Sequence, residues 1–496
     1  MKKSLKALVY GENVTPLPAF KVFSLFLLFV FNSMVISCQF AYLPQLIKSF
    51  GVSEVETGEK VGIIVSSYYI ARIFASLLWG NMSDRFPKTY VLILSSLGSA
   101  LASIAFGFTE TFTWAVAAKF FTGCCAGIAV VGKAILVDIC DDTNMPLGMT
   151  VIMSSFSTGL VTGPALGGYL AFPSEKYSNV FSKESLFGRY TILLPNFILA
   201  IGLFISTGIF ILAFRKNSRN PDGLIEEEPL QQHNSKYGAT QVAETIYSPK
   251  VTTNRLITRS SQWKRFKNWM LNTTLCRLLR IKSCVMSCVL TAIYYMLAVA
   301  YEDIYPVLAA TTKKYNGYGF NTKDIGLSLL IVSCLMIAIQ VPLLGKLTSK
   351  YGPSKIFIFS SLALVFCCPI NVSIISIQNK NLFWTCVIII SLLTRLALEG
   401  GFVTVNVFVN NSVTSDLVGS ANGLCMSLTC LTRSVAPTLI GSVFSWSLEN
   451  IKDVEGNKNP LGFPFNQYFT FYILSFFSIF NAFFVTLLSG KIDEKQ

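Results

Sequence analysis

Twelve long apolar runs, most of them separated by short polar stretches, make up more than half of this 496-residue chain. A backbone so enclosed in apolar side chains has lipid as its natural solvent, and in lipid it must satisfy its polar groups internally, as helices do. The runs fall at 20–42, 61–79, 90–108, 112–137, 149–171 and 190–214, then at 283–305, 325–344, 356–377, 382–409, 421–446 and 469–488. Each is close to the roughly 20 residues needed to span the hydrocarbon of a bilayer. Hydrophobic residues make up 52% of the chain and charged ones 13%, against about 25% charged in a soluble domain. The expected fold is an all-α membrane protein of twelve transmembrane helices in two six-helix, pseudo-symmetric bundles. The bundles are expected at 1–214 and 283–496, joined by a polar loop at 215–282.

One short loop occurs twice, at equivalent places in the two halves. The first copy is Gly80-Asn81-Met82-Ser83-Asp84-Arg85-Phe86-Pro87-Lys88, and the second is Gly345-Lys346-Leu347-Thr348-Ser349-Lys350-Tyr351-Gly352-Pro353. Internal repetition of this kind is common in secondary transporters. Gly80 is expected to turn the chain tightly at the membrane exit. Asp84 and Arg85 place opposite charges beside a helix end, where Arg85 or Lys88 could pair with another helix and latch one access state. A plain charge anchor is the alternative. In the second copy Ser349 replaces the acid, leaving Gly345 and Lys350 as the matching positions.

A second pattern lies in the fifth run: Gly159, Gly163, Pro164, Gly167 and Gly168. Glycines 159, 163 and 167 share one helical face and permit close helix approach, expected here between the two halves, with ordinary helix packing as the alternative. Pro164 removes a helix hydrogen bond and can kink the span.

The Gly80-x-x-x-Asp84-Arg85 loop resembles the loop 2–3 motif of the major facilitator superfamily. The fifth-run pattern is similar to the antiporter motif of its drug/proton antiporter branch. Arg72 to Gly80, the stretch from Gly163 through Tyr177, Phe181 to Arg189, Tyr301 to Tyr305 with Lys313-Lys314-Tyr315, and Ala421-Asn422-Gly423 look like zinc-induced-facilitator-like transporters. That resemblance covers both halves but not the central loop. It implies alternating access by rocking bundles, with no enzymatic activity.

Charges within spans are costly unless they face a cavity or a partner. Arg72, Arg395 and Arg433 each lie near the middle of a run, and for Arg72 and Arg433 the alternative to a solute-binding role is a structural one, locking helices together through carbonyls or a neighbouring acid. Lys119 lies about 10 Å inside the fourth run at ~1.5 Å per residue, and Lys133 lies about 21 Å further along, where Asp138 is its expected partner. Glu399 follows Arg395 by one helical turn and shares its face. Glu302 and Asp303 fall about 30 Å along the seventh run by the same rise, with a solvated outer rim as the alternative to a coupling role. The first run has no charge between Lys21 and Lys48, unlike drug/proton antiporters that use an acid there.

Lys and Arg favour the side holding both termini by more than two to one, which places the termini in the cytosol. The net charge of +14 therefore reflects topology, and no nucleic-acid partner is expected. The basic, Trp-containing stretch from Trp263 to Arg280 suits an interfacial helix on the anionic cytosolic leaflet, with an unstructured linker as the alternative. A single histidine, His233, leaves nothing for a His-based triad or His-rich zinc site. The 13 cysteines lie in apolar runs or expected cytosolic segments and suggest neither a disulfide framework nor a metal site. There is no phosphate-cradling GxxxxGK[ST] motif.

The expected activity is secondary transport without a cofactor, by a monomer that moves a small-molecule or ion solute against protons. Glu399 or Asp303 would take the proton, and three central arginines favour an anionic or chelated solute. A facilitative or symport carrier and a non-transporting receptor or scaffold are the rivals. The expected membrane is the plasma membrane or that of an acidic vacuole or lysosome.

Overall fold

The computed structural model describes residues 15–141, 143–215, 274–414, 417–451 and 460–487. Among these, all regular structure is helical, and twelve helices are long and apolar enough to cross a membrane. They are α1 (Ala19–Ala41), α2 (Thr57–Arg85), α3 (Lys88–Gly107), α4 (Phe112–Ile139), α5 (Leu147–Leu170) and α6 (Leu193–Arg215). The second set comprises α7 (Lys282–Ala310), α8 (Thr322–Ile339), α9 (Pro353–Ser376), α10 (Lys380–Asn411), α11 (Ser420–Glu449) and α12 (Tyr468–Thr486). Helical structure of α8 continues to Tyr351. Of the basic stretch expected to lie on the leaflet, Thr274–Arg280 is a short helix, and residues 263–273 fall outside the described residues, as does His233.

The doubled loop is mostly helix. Gly80 through Arg85 belong to α2, and the chain turns at Phe86 and Pro87 instead of at Gly80. Pro87 lacks an N–H to continue α2 and immediately precedes α3, so proline does the breaking expected of glycine. In the second copy the breaker is Gly352, at φ +82°, just before Pro353 opens α9. A positive φ of this kind is open to glycine and costly for other residues.

The fourth span is two helices, Phe112–Cys124 and Ile128–Ile139, rather than one. At the break, the Trp79 indole donates to the Cys124 carbonyl at 2.8 Å and the Ser95 hydroxyl donates to that of Cys125 at 2.9 Å. Ser95 also accepts from the Gly127 N–H at 3.0 Å. Neighbouring spans thereby satisfy backbone groups that the break frees, as interruptions at membrane depth require.

Helices α2 and α11 cross between the two halves, as do α5 and α8. We call the end where the chain enters α1 inner and the opposite end outer. At the outer end, a Cβ on Gly58 would meet the Gly441 carbonyl at 3.0 Å, and one on Gly62 would press into the Pro437 backbone and lie 2.9 Å from Thr438 Cα. Gly168 and Gly326 make an equally close crossing of α5 with α8, at 2.8 Å from a Cβ on Gly168 to Gly326 Cα. At the inner ends of the α2–α11 pair, a Cβ on Gly80 or Gly423 would meet nothing within 4 Å. Among the described residues, the close crossings of the two halves therefore lie at the outer end, and the inner-end glycines of this pair make none.

Candidate functional site

Polar side chains lock the outer closure. Lys48, in the short helix Leu43–Ser49, donates to the Ala310 carbonyl at 2.6 Å and to the Glu54 carboxylate at 2.8 Å. Glu54 in turn accepts from the Thr312 N–H at 2.8 Å. The ammonium thus meets the final carbonyl of α7, where the helix dipole favours a cation. Lys176 donates to the Gly168 carbonyl at 2.6 Å, to that of Ala171 at 2.5 Å and to the Thr322 hydroxyl, joining α5 to α8. Burial, with a smaller contribution from the Lys323 charge, lowers the Lys176 ammonium to about 8. Along the α2–α11 seam, Ser66 accepts from the Thr438 hydroxyl at 2.8 Å and Ser445 accepts from the Glu59 N–H at 3.0 Å.

This outer lock carries a prediction. Charge-assisted hydrogen bonds contribute about 1.5–3 kcal/mol each, so Lys48→Met should raise the outer-open to outer-closed ratio by roughly tenfold or more. Spin–spin distances between labels on the outer ends of the two halves measure that ratio. An unchanged distance distribution would return Lys48 to a surface role.

The inner end is arranged differently. Asp84 and Arg85 are exposed, and among the described residues neither forms an ion pair. Asp84 does not cap α3 either, whose start has no side-chain cap. Lys88 crosses to the end of α4 and pairs with Asp138 at 2.7 Å, within the first half. Asp138 is therefore taken by Lys88, not by Lys133, and Lys133 stands partly buried with Arg72 as its charged neighbour. Lys350 is exposed and lies over the Tyr351 ring at 5.3 Å, and Gly345 lies within the helix that continues α8. Beside this end, Thr15 bonds to Asp141, and Asn144 donates to the Thr15 hydroxyl at 2.9 Å. Hydroxyl donors Thr143 and then Thr15 hold the Asp141 carboxyl down at about 2.

The glycines of α5 face two ways. Cβ atoms on Gly159, Gly163 and Gly167 would strike α1 of the same half, at Val30, Ser37 and Cys38. The expectation of a contact between halves is corrected for these three. Four-residue spacing keeps them on one face, and that face belongs to the α1 packing. Gly168, one residue and about 100° round the helix, is the position that meets the second half, at Thr322 and Gly326. Pro164 lies inside α5, and its carbonyl faces Gly326 at 2.8 Å from where a Cβ would stand.

Between the halves, charges and tyrosines gather at mid-span. Arg395 of α10 pairs with Glu302 of α7 at 2.7 Å, both partly buried. Glu302 is therefore not a solvated rim residue. Arg395 is bound to α7, while Glu399 lies near Tyr294. Asp303, next in α7, is only 6% exposed, and its Oδ2 has no hydrogen-bond partner. Arg433 of α11 stands over the Tyr295 ring at 4.5 Å, and its buried Nε is also unpartnered. Tyr69 of α2 lies within electrostatic range of Arg433, Asp303 and Glu302, which brings the first half to the same place. One turn along α2, Arg72 lies 5.9 Å from the Tyr68 ring.

Lys119 sits apart from this group. It is 3% exposed and stacked on the Phe106 ring at 4.1 Å, with Cys38 as its electrostatic neighbour inside the first half. The aromatic part of the site, Tyr68, Tyr69 and Tyr295, escaped the sequence reading. The available signal was tyrosine inside apolar runs, close to Arg72 in the chain. Among the described residues no cluster of three or more His, Cys, Asp or Glu could hold a metal ion.

Residues 25–437 match the Major Facilitator Superfamily. The chain is 26% identical over 437 residues to Protein ZINC INDUCED FACILITATOR-LIKE 1 of Arabidopsis thaliana, covering 87% of this chain and 85% of that protein. It is 25% identical over 426 residues to a probable peptide/nitrate transporter of the same plant, covering 84% and 81%. Among solved structures, it superposes on a bacterial homologue of the human lysosomal transporter Spinster, inward-facing and occupied. There the TM-score is 0.63 at 11% identity, over 96% of this chain and 98% of that one. It superposes equally on a D-xylose–proton symporter, with TM-score 0.63, 14% identity and the same coverage.

Proposed function

We propose that this chain, which belongs to the Major Facilitator Superfamily, is a proton-coupled antiporter of a small anionic or chelated solute. Its membership makes it a membrane transporter and not an enzyme. The observation that carries the finer reading is Arg433. A guanidinium held at mid-span between the halves, with a buried unpartnered Nε and no acidic partner among the described residues, is suited to accept an anion. Arg72 and Lys133 add positive charge, whereas the charge of Arg395 is answered by Glu302. A peptide/nitrate transporter among the relatives is compatible with an anionic cargo.

Asp303 is the proposed proton carrier, because it is buried in α7 beside the Glu302–Arg395 pair and has an oxygen free to exchange a proton. When the halves rock, Tyr69 and α7 change neighbours, so solute and proton meet the same group of residues in turn. The exposure of Asp84 and Arg85 at the inner end, without an ion pair among the described residues, supports reading them as a latch that engages in the opposite access state.

A second reading, symport or facilitation, draws on one observation. The glycine face of α5 that resembles an antiporter motif packs α1 within one half, so it does not itself argue for counterflow. Proteoliposomes loaded with a pH dye and given nitrate and small carboxylates separate the readings. Antiport moves protons opposite to the solute, and Asp303→Asn should retain solute exchange while losing the proton signal. Proton movement alongside the solute would support symport. A proton signal surviving in Asp303→Asn would remove Asp303 from coupling.

A further inference from the structure

We propose a second ligand site, separate from the central charges, on the outer face of the second half: a pocket for a flat aromatic carboxylate. A cavity of about 450 Å³ opens there between the α7–α8 connection and the start of α10. That volume is within the range of small-molecule pockets. One wall is aromatic. Phe320 and Trp384 stack with ring centroids 4.7 Å apart and planes at 14°, and Phe383 meets Phe320 edge-on at 5.8 Å. Aromatic faces of this kind take another ring in offset or edge contact.

The charged lining has a sign. Lys313, Lys380 and Asp324 line the cavity. Asp324 is engaged at the start of α8, where it accepts from the Asn321 N–H at 3.4 Å while Asn321 accepts from the Asp324 N–H at 3.0 Å. Lys313 and Lys380 form no ion pair among the described residues. Lys380 is also the first residue of the 32-residue α10, whose dipole adds positive potential at that end. Two ammonium groups against the one carboxylate of Asp324 leave a net positive lining beside an aromatic wall, which favours an acid with a planar apolar body.

The pocket is built in advance of any ligand. The loop from Lys313 to Phe320 folds back on α7, with the Gly319 N–H donating to the Thr311 carbonyl at 2.8 Å and the Phe320 N–H to that of Ala309 at 2.8 Å. Tyr318 donates to the Asn371 carbonyl of α9 at 2.5 Å. Gly319 takes φ +67°, and a Cβ there would meet Lys313 Cγ at 3.5 Å, so this lining is bare backbone. Since every lining residue comes from the second half, the site stays formed whichever way the halves rock.

The test uses 2-naphthoate as probe, with the purified full-length protein in zwitterionic nanodiscs and binding read by equilibrium dialysis and tryptophan quenching. Saturable binding with a Kd on the order of 1 mM or tighter is expected. The neutral 2-naphthalenemethanol should bind at least about tenfold more weakly, as should naphthoate to Lys313→Gln/Lys380→Gln, because each loses a charge-assisted contact. Both lysines are exposed, so an unchanged Tm confirms that the double variant is folded. Trp384→Phe should remove the quenching that belongs to this site. Arg433→Gln should leave the site intact, whatever that change does to transport. The proposal is overturned by absence of saturable binding, by equal affinity in the double lysine variant, by equal affinity for the neutral probe, or by loss of the signal in Arg433→Gln.

Discussion

Gly62→Leu is expected to shift the carrier away from its outer-closed state without impairing its folding. In the closed crossing, a side chain at position 62 would press into the Pro437 backbone and against Thr438. Backbone cannot swing aside as a flexible side chain can, and overpacking costs about 1–3 kcal/mol or more. Since 1.4 kcal/mol is tenfold in an equilibrium constant, the outer-closed population should fall roughly 10- to 100-fold. Opening the outer end relieves the clash, so the cost falls on one access state and not on the fold. Gly167→Leu provides the contrast. Its clash is with Cys38 in α1 of the same half, where rocking brings no relief, so it should lower thermal stability and yield together with transport. Cysteine accessibility on the outer surface and Tm, measured for both variants, separate the two effects. A Gly62→Leu protein with wild-type accessibility would show that the α2–α11 crossing is not the moving contact.

Arg433→Gln should reduce transport of the proposed anionic solute by about 10- to 150-fold. That range converts the roughly 1.5–3 kcal/mol of a hydrogen bond to a charged group. The guanidinium lies over Tyr295 with its Nε buried and unpartnered, so the shorter glutamine keeps a polar, hydrogen-bonding end but loses the charge. Arg433→Lys should recover only part of the activity, because an ammonium lacks the planar fork that binds a carboxylate or nitrate at two points. Uptake of labelled anions into proteoliposomes, at matched protein amounts, gives the measurement. Wild-type anion uptake in Arg433→Gln would leave Arg433 as a helix-locking residue and remove the main support for an anionic cargo.

The inner loop shows where reading residues in order reaches its limit. Gly80 and Asp84 stand out in the sequence because a glycine and charges interrupt an apolar run. The turn nevertheless falls at Phe86 and Pro87, since an isolated glycine is tolerated in a helix and a proline cannot continue one. Asp138 presented a similar difficulty. Lys133 is close to it along the chain, yet Lys88 reaches it from α3. Sequence neighbours five apart on a helix do not face each other, and a partner on another helix has no signature in the spacing.

The α5 glycines make the same point about direction. Their spacing announced a close helix contact, and such a contact exists, but only Gly168 is turned to the second half. Which neighbour occupies a face is a property of the assembled bundle. The pairing of Glu302 with Arg395 is likewise a contact between spans about 90 residues apart. Spacing along α10 pointed to Glu399 as the companion of Arg395, because helical periodicity registers only partners on the same helix.

The sequence by itself determined that this chain is a helical membrane protein with twelve spans, since apolar run length and charge scarcity are local quantities that the bilayer reads directly. It also determined the family, through motifs that are contiguous in the chain. Only the tertiary structure decided that the halves meet closely at their outer ends, that Lys48 and Lys176 hold that closure, and that tyrosines surround the mid-span charges. Those features depend on distances between helices, and interhelical distance comes from small residues meeting backbone across a crossing, which no single span encodes.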